Sequence, residues 1–237
     1  MTARVELIAH TTEPARVVAA AAKLCYSPAT ASGLFDGLDA GKVRDFLGKL
    51  RAVGHLSPFE HASFTFAIDG VSRVMTHQLV RHRIASYSQQ SQRYVTMGSP
   101  RVIMPPEVAA NAEARQLFER TSAEAHEAYE KMTALGIPKE DARFILPHGW
   151  ETSIVMTMNA RELHHFFAIR ICRRAQWEIR CVAARMFALV RIAAPELFEG
   201  CGPACLSEGA CREMHPCGRP YKDEREIFEV EPEKEHE

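Results

Sequence analysis

Residues 63–83, SFTFAIDGVSRVMTHQLVRHR, change their hydrophobic period part-way along. Phe64, Phe66 and Ile68 alternate with Ser63, Thr65 and Ala67, the two-residue period of a strand with one buried face. Val71, Val74, Met75 and Leu79 then follow helical spacing, so a helix carries the chain into Arg81-His82-Arg83 at its C-terminal end. Cations at that end are stabilised by the helix dipole and project from a rigid base. A strand feeding a helix, with no regular βαβ alternation elsewhere, indicates an α+β fold.

The flanking sequence extends this pattern. VELIA (5–9) reads as a short strand. Thr12, Glu13 and Pro14 offer a cap, an early acid and a first-turn proline for an Ala-rich helix to about Leu24. Asp39 caps a second helix to Val53, with Gly54 as its stop. SYSQQSQRYVTM (86–97) reads as extended. Residues 111–135 form a long helix with Leu117, Tyr129, Met132 and Leu135 as its apolar positions, and Pro138 opens a short helix ending before Pro147. Ile154, Met156 and Met158 alternate with Val155 and Thr157 as another strand. Asn159 then caps a helix with Glu162 three residues on, and a last helix spans roughly 173–193. The expected architecture is a single α+β domain, mainly an antiparallel sheet flanked by long helices.

Composition narrows the function. The chain has 237 residues, 46% hydrophobic and 25% charged, with a formal net charge of −1. That near-neutral balance argues against a dedicated nucleic-acid binder, which carries a basic stripe or domain. The N-terminal stretch MTARVELIAHTTEPARVV has no signal-peptide core and no apolar run reaches membrane-span length, so a cytoplasmic protein is expected. Against this background, RHRIASYSQQSQR (81–93) gathers three arginines, a histidine, three serines and three glutamines. A packed core cannot hold so many donors without partners. The segment suits an anion. With no G-x-G-x-x-G after a strand, no P-loop and no H-E-x-x-H, a nucleotide cofactor would be held by side chains and helix ends.

Arg81-His82-Arg83, seven residues, then Ser91 matches the RHR-x7-S pattern of flavin-dependent thymidylate synthases. GHLSPFEHASFTF (54–66), HQLVRHR (77–83), ARFILP (142–147), MNARELHHFFAIR (158–170) and AQWEIR (175–180) also resemble that family's segments, in its order. The resemblance covers roughly residues 5 to 200. It implies a domain over 1–200 followed by a Cys-rich and acidic tail (201–237). It also implies reductive methylation of dUMP to dTMP with 5,10-methylenetetrahydrofolate, FAD and NADPH, in a homotetramer with shared active sites.

The resemblance assigns roles residue by residue. Arg81, His82 and Arg83 resemble the flavin-contacting trio, with Arg81 near the nucleotide as well; a solvated helix end is the bland alternative. Gln78, one turn before His82, matches a dUMP position. Gln89, Ser91, Gln92 and Arg93 match the dUMP segment, with Arg93 suited to the phosphate and Gln89 also counted with the cofactor. Many family members carry Glu at Gln89, so an acid or base role there is in doubt. His55 and Ser57 match positions near the flavin, although a histidine in a turn is often structural. Asn159, Arg161 and His165 match flavin positions, where Asn159 and Glu162 could equally be an N-cap pair. His165 stands where some members have Asn.

Arg143 and Arg170 match the remaining dUMP contacts, an internal ion pair being the alternative for Arg170. Arg170 and Ser91 are the residues nearest the chemistry, Ser91 as a positioning group, since no triad that would make it a nucleophile can be inferred. Cys201, Cys205, Cys211 and Cys217 follow C-x3-C-x5-C-x5-C, unlike the paired knuckles of usual zinc sites. Zinc and reduced packed thiols both stay open, and no metal is assigned. Cys25, Cys172 and Cys181 read as buried thiols, and the charged end DEREIFEVEPEKEHE (223–237) as frayed or disordered. Two other readings are an RNA- or nucleotide-binding module stacking bases on Tyr87 and Tyr94, and a flavin-binding relative without methylation activity.

Overall fold

The computed structural model describes residues 3–95 and 101–228. Strands β1 (Arg4–His10), β2 (Ser63–Ser72), β3 (Ala85–Gln89) and β4 (Glu151–Asn159) form one antiparallel sheet in the order β1-β2-β4-β3. Helices α1 (Pro14–Leu24), α2 (Ala31–Asp36) and α3 (Ala40–Ala52) lie between β1 and β2, and α4 (Arg73–Leu79) between β2 and β3. Before β4 come α5 (Pro106–Ala109), the long α6 (Ala112–Ala134) and α7 (Lys139–Ala142). After it come α8 (Ala160–Arg170), α9 (Trp177–Ala193), α10 (Pro195–Phe198), α11 (Ala204–Ser207) and α12 (Arg225–Phe228).

The strand period read from the sequence sets the sheet register. Phe64 pairs with Met158, Phe66 with Met156 and Ile68 with Ile154, so one face is apolar along both central strands. All six side chains are buried, whereas Ser63 and Val155 on the other face are exposed. Such one-sided burial is the usual condition of an antiparallel sheet. On the buried side lies the main core, where Phe167 of α8 meets Phe187 of α9 and Phe198 of α10. A smaller cluster joins Tyr129, Ala142, Leu146 and Trp150 between α6 and the turn after α7.

The sequence boundary between strand and helix is displaced. Val71 belongs to β2, not to the helix, because the ladder to β4 shifts register between Ile68 and Val71. Gly70 sits there with φ of 68°, a left-handed conformation that a side chain would strain. The bulge lets Val71 and Ser72 both face inward, and Ser72 becomes the N-cap of α4, its Oγ accepting from Met75 N–H at 3.0 Å.

Other local expectations change too. Thr12 does not cap α1. Glu13 occupies the N-cap in a left-handed conformation with no side-chain cap bond, and its carboxylate pairs with Arg16 at 2.5 Å. The extended reading of 86–97 holds to Gln89 only. Val95 N–H then bonds Ser91 C=O and closes a turn, and Thr96 and Met97 lie outside the described residues. Leu117 and Leu135 are exposed, so α6 buries only Ser122, His126 and Tyr129. The last long helix begins at Trp177, after Gln176 caps it with two bonds to Glu178 and Ile179 N–H.

Cys25 is exposed beyond α1, while Cys181 is buried and Cys172 half-buried. Asp223–Phe228 is ordered: Glu224 pairs with Arg191 at 2.7 Å, Glu226 with Arg173 at 3.0 Å, and Ile227 joins the main core. The rest of that segment, 229–237, lies outside the described residues. Cys201 also enters the main core, where burial pushes its thiol up to about 12.

Candidate active site

The Arg-His-Arg turn follows α4 as the sequence indicates. Arg81 N–H bonds Gln78 C=O and His82 N–H bonds Leu79 C=O, which tightens the last turn. The tightening splits the three side chains. His82 turns inward and is buried, while the exposed guanidinium groups of Arg81 and Arg83 make no hydrogen bond or ion pair among the described residues.

His82 is fixed from both sides. Its Nδ1 lies 3.2 Å from a Glu162 carboxylate oxygen, and its Nε2 accepts from Arg170 Nε at 3.0 Å. A guanidinium can only donate, so Nε2 is the unprotonated nitrogen and Nδ1–H points at Glu162. Burial holds the imidazole below its ordinary pKa against the raising effect of Glu162. His82 is therefore a neutral link between α8 and the turn. Phe166 and His165 set their ring edges against it at 5.0 and 5.7 Å.

Tyr87 on β3 completes the support by donating to Leu79 C=O at 2.9 Å and His82 C=O at 2.8 Å, with burial raising its phenol pKa. Gln78 joins through its backbone, whose carbonyl accepts from Arg170 Nη2 at 3.4 Å.

His82, Glu162 and His165 are the one set of potential metal ligands whose ligating atoms converge within 4.8 Å among the described residues. Both His82 nitrogens are already committed, one of them to a cation. That arrangement suits the hydrogen-bonded chain, not a metal ion.

Beneath α4 a buried carboxylate holds the helix start. Glu178 accepts from Ser72 N–H at 2.6 Å and from Ser72 Oγ–H at 2.5 Å. Desolvation raises its pKa, partly offset by those two bonds. The AQWEIR motif thus supports α4 from the far side of the core.

A second group gathers at the β3 end. Gln89 donates from Nε2 to the hydroxyls of Thr76 at 3.0 Å and Thr152 at 3.4 Å. Ser91 Oγ accepts from Arg93 N–H at 3.2 Å. Gln92 is buried with its Nε2 unpartnered, an amide donor waiting for an acceptor. Arg93 pairs with the Glu140 carboxylate, and Arg143 Nε donates to Glu140 C=O at 3.1 Å.

Arg73 belongs near this group. Its Nη1 is buried without a partner, and desolvation followed by the Arg143 charge lowers its pKa. A buried guanidinium nitrogen without a partner, close to a second cation, suits an anion. Sequence reading missed Arg73, which as first residue of α4 opposes the helix dipole.

The third group lies at the start of α8. Asn159 Oδ1 accepts from Glu162 N–H at 2.9 Å, which makes it the N-cap. The reciprocal half of a capping box is absent, because Asn159 is paired in the sheet and the Glu162 side chain goes to His82. Arg161 bridges to Glu60 at 2.5 Å, on the one-turn 3-10 helix Ser57–His61 that also carries Ser57. His55 donates its backbone N–H to Leu50 C=O just before it. The side chains expected to serve one site therefore fall on three stretches of the fold, the start of α8 tied to the His82 turn through Glu162. Arg170 joins His82 and the Gln78 carbonyl, with His165 packed against His82.

Comparison with known proteins identifies the setting of this geometry. The family model described as thymidylate synthase complementing protein matches residues 6–196. The chain belongs to this family. A flavin-dependent thymidylate synthase from Geobacter sulfurreducens is 52% identical over 231 residues, spanning 96% of this chain and 99% of that protein. A second, from Clostridium tetani, is 44% identical over 235 residues, spanning 92% and 94%. Among solved structures, the UMP/dUMP methylase PolB from Streptomyces cacaoi, bound with 5-Br dUMP, superposes with a TM-score of 0.72 at 26% identity, covering 83% of this chain and 93% of that one. No helix among the described residues is long and apolar enough to cross a membrane.

Proposed function

We propose that the protein is a flavin-dependent thymidylate synthase that methylates dUMP, with 5,10-methylenetetrahydrofolate as carbon donor and FAD and NADPH for reduction. The observation that carries this is the Arg81–Arg83 turn locked through His82 to Glu162 and Arg170, in a family member 52% identical to such an enzyme. A homotetramer in which subunits complete one another's sites belongs to the same reading. Residues 1–200 are the catalytic domain in this reading, 201–237 an appended tail, and the setting is the cytoplasm.

The residues suit a flavin dinucleotide. Arg81 and Arg83 are exposed guanidinium groups without protein partners among the described residues, the form in which arginine serves phosphate and flat rings. Asn159, Arg161, His165, His55, Ser57 and Gln89 would complete that site. When bound, the flavin supplies the hydride. The chain's own residues bind and orient: Arg93 and Arg143 hold the dUMP phosphate, and Gln78, Gln89, Ser91 and Gln92 fix the nucleotide. Gln89 is uncharged and donates to two hydroxyls, so it positions and moves no proton. The fork of Arg170 spends Nε and Nη2 on the protein, and its remaining donor would serve the uracil edge, where a guanidinium stabilises negative charge.

Purified protein titrated with FAD should bind it, bleach on anaerobic addition of NADPH, and form dTMP from dUMP and methylenetetrahydrofolate. Failure to bind FAD would remove the reading. Binding and bleaching without dTMP would favour a flavin-binding relative without methylation.

Ser91→Ala should weaken dUMP binding while dTMP formation stays measurable, since the hydroxyl's observed partner is a backbone N–H and not a base. An acid-stable Ser91–nucleotide adduct, with an inactive alanine variant, would reverse that assignment.

A further inference from the structure

Three cysteines of the tail and one from the turn after α8 line one cavity. Cys201 is committed to the main core, so the four tail cysteines do not act as a set. Cys205, Cys211 and Cys217 instead surround a space of about 110 Å³ together with Cys172, which stands two residues beyond Arg170 in the turn between α8 and α9. Cys205 and Cys217 are electrostatic neighbours of Cys172. We propose that Cys172, Cys205, Cys211 and Cys217 form a four-thiolate zinc site that pins the tail to the turn following Arg170.

The chemistry of the donor set carries this furthest. Four cysteine sulfurs are the closed ligand set of a structural zinc, with no position left for water or substrate. Two of the sulfurs already receive backbone amides: Arg219 N–H donates to Cys217 Sγ at 3.4 Å, and Arg174 N–H donates to Cys172. In both cases the donor lies two residues beyond the cysteine, so each local loop wraps its own sulfur. Such outer hydrogen bonds orient thiolate ligands and disperse their charge.

Charge agrees as well. Zinc with four thiolates carries a net charge of −2, and Arg173 and Arg174 line the same cavity. Arg174 is held there by the His215 carbonyl and by Glu213 at 3.9 Å.

No three of these sulfurs lie within 4.8 Å of one another, so the ion must draw them inward to the roughly 2.3 Å zinc–sulfur distance. Cys211 and Cys217 stand on loops outside regular structure, which leaves the approach open. Contacts of Tyr221 also dock the tail on the same turn. Tyr221 donates to Ile171 C=O at 2.9 Å, and Arg173 lies 4.2 Å over the Tyr221 ring. Zinc would close the remaining stretch, 205–217, over a turn that begins beside Arg170.

The test uses the full-length protein, purified under reducing conditions from zinc-supplemented growth. Metal analysis should find about one zinc per chain. Iodoacetamide should spare Cys172, Cys205, Cys211 and Cys217 in the zinc-loaded protein and label all four after chelation, while exposed Cys25 labels in both states. C172S and C205S should lower zinc affinity by more than the ~10–100-fold typical of losing an outer-shell partner, and C25S should leave it unchanged. Cobalt substitution should give thiolate charge-transfer absorption and the ligand-field bands of a tetrahedral site.

Absence of zinc after zinc chloride is added to reduced protein would overturn the proposal, as would unchanged affinity in C172S. Disulfides found by mass among the four, or iron in place of zinc, would equally overturn it. If a serine variant fails to fold, the labelling pattern of wild-type protein decides alone.

Discussion

Arg170→Ala should keep FAD bound and reducible by NADPH while losing about a hundredfold in dTMP formation. The estimate rests on the role of one charged donor. Hydride addition to the uracil ring builds negative charge along its N3–C4–O4 edge, and a fixed guanidinium there stabilises it. Removing one such donor typically costs on the order of 3 kcal/mol. Arg170 is half-buried at the end of α8, where desolvation lowers its pKa while its guanidinium stays cationic. It is also held in place, through Nε on His82 and Nη2 on the Gln78 carbonyl.

Alanine therefore removes two things: the charge, and the donor that fixes the His82 tautomer. Loosening of His82 should weaken FAD by a smaller factor than the loss in methylation. Lysine should rescue poorly, since a point charge cannot serve His82, the carbonyl and the nucleotide together. Single-turnover flavin oxidation with dUMP and methylenetetrahydrofolate, without oxygen, separates the effects. A wild-type rate in the alanine variant would sink the assignment, and complete loss of FAD would move Arg170 to cofactor binding.

Much of the fold was legible because its main elements follow hydrophobic period. Phe64, Phe66 and Ile68 on β2 and Ile154, Met156 and Met158 on β4 announce both strands and their buried face. The bulge at Gly70 was not legible. An isolated glycine inside an apolar run marks a bulge or a turn equally well, and only pairing with β4 decides it. Leu117 and Leu135 fit a helical stripe yet point to solvent, because in this chain α6 contacts the rest of the protein along one short line. Periodicity specifies a face and not what covers it.

The candidate site divides in the same way. Positions carried by motif, such as His82 and Arg170, could be named from the sequence, but their partnership could not, since 88 residues separate them. Glu162 illustrates the limit. Three residues after Asn159 it looks like the acid of a capping box, and local sequence contains nothing that would send its carboxylate to His82. Glu178 and Arg73 escaped notice for a related reason. Their significance lies in burial, and burial of a charged group is a tertiary fact.

Phe167→Ala should destabilise the protein by about 3–5 kcal/mol, the range for truncating a fully buried phenylalanine. The ring is completely buried and meets three others edge-on: Phe166 at 5.6 Å, Phe187 at 5.1 Å and Phe198 at 5.9 Å. These rings come from α8, α9 and α10, so the cavity would open where three helices converge, and no single side chain can relax into it. Around it stand elements that matter for the site. Phe166 carries the contact to His82, and α9 carries Glu178, which holds the start of α4.

For a chain of this length 1 kcal/mol corresponds to roughly 2–4 °C, so the melting temperature should fall by about 6–20 °C. In urea the midpoint should drop with the slope unchanged, as expected when only the native state is weakened. Leu135→Ala is the matched control: with 81% of its surface exposed, it should stay within about 0.5 kcal/mol of wild type. If Phe167→Ala also stays within about 1 kcal/mol, the ring cluster does not hold the three helices together. Their attachment must then rest on the sheet face and the Glu178–Ser72 bonds instead.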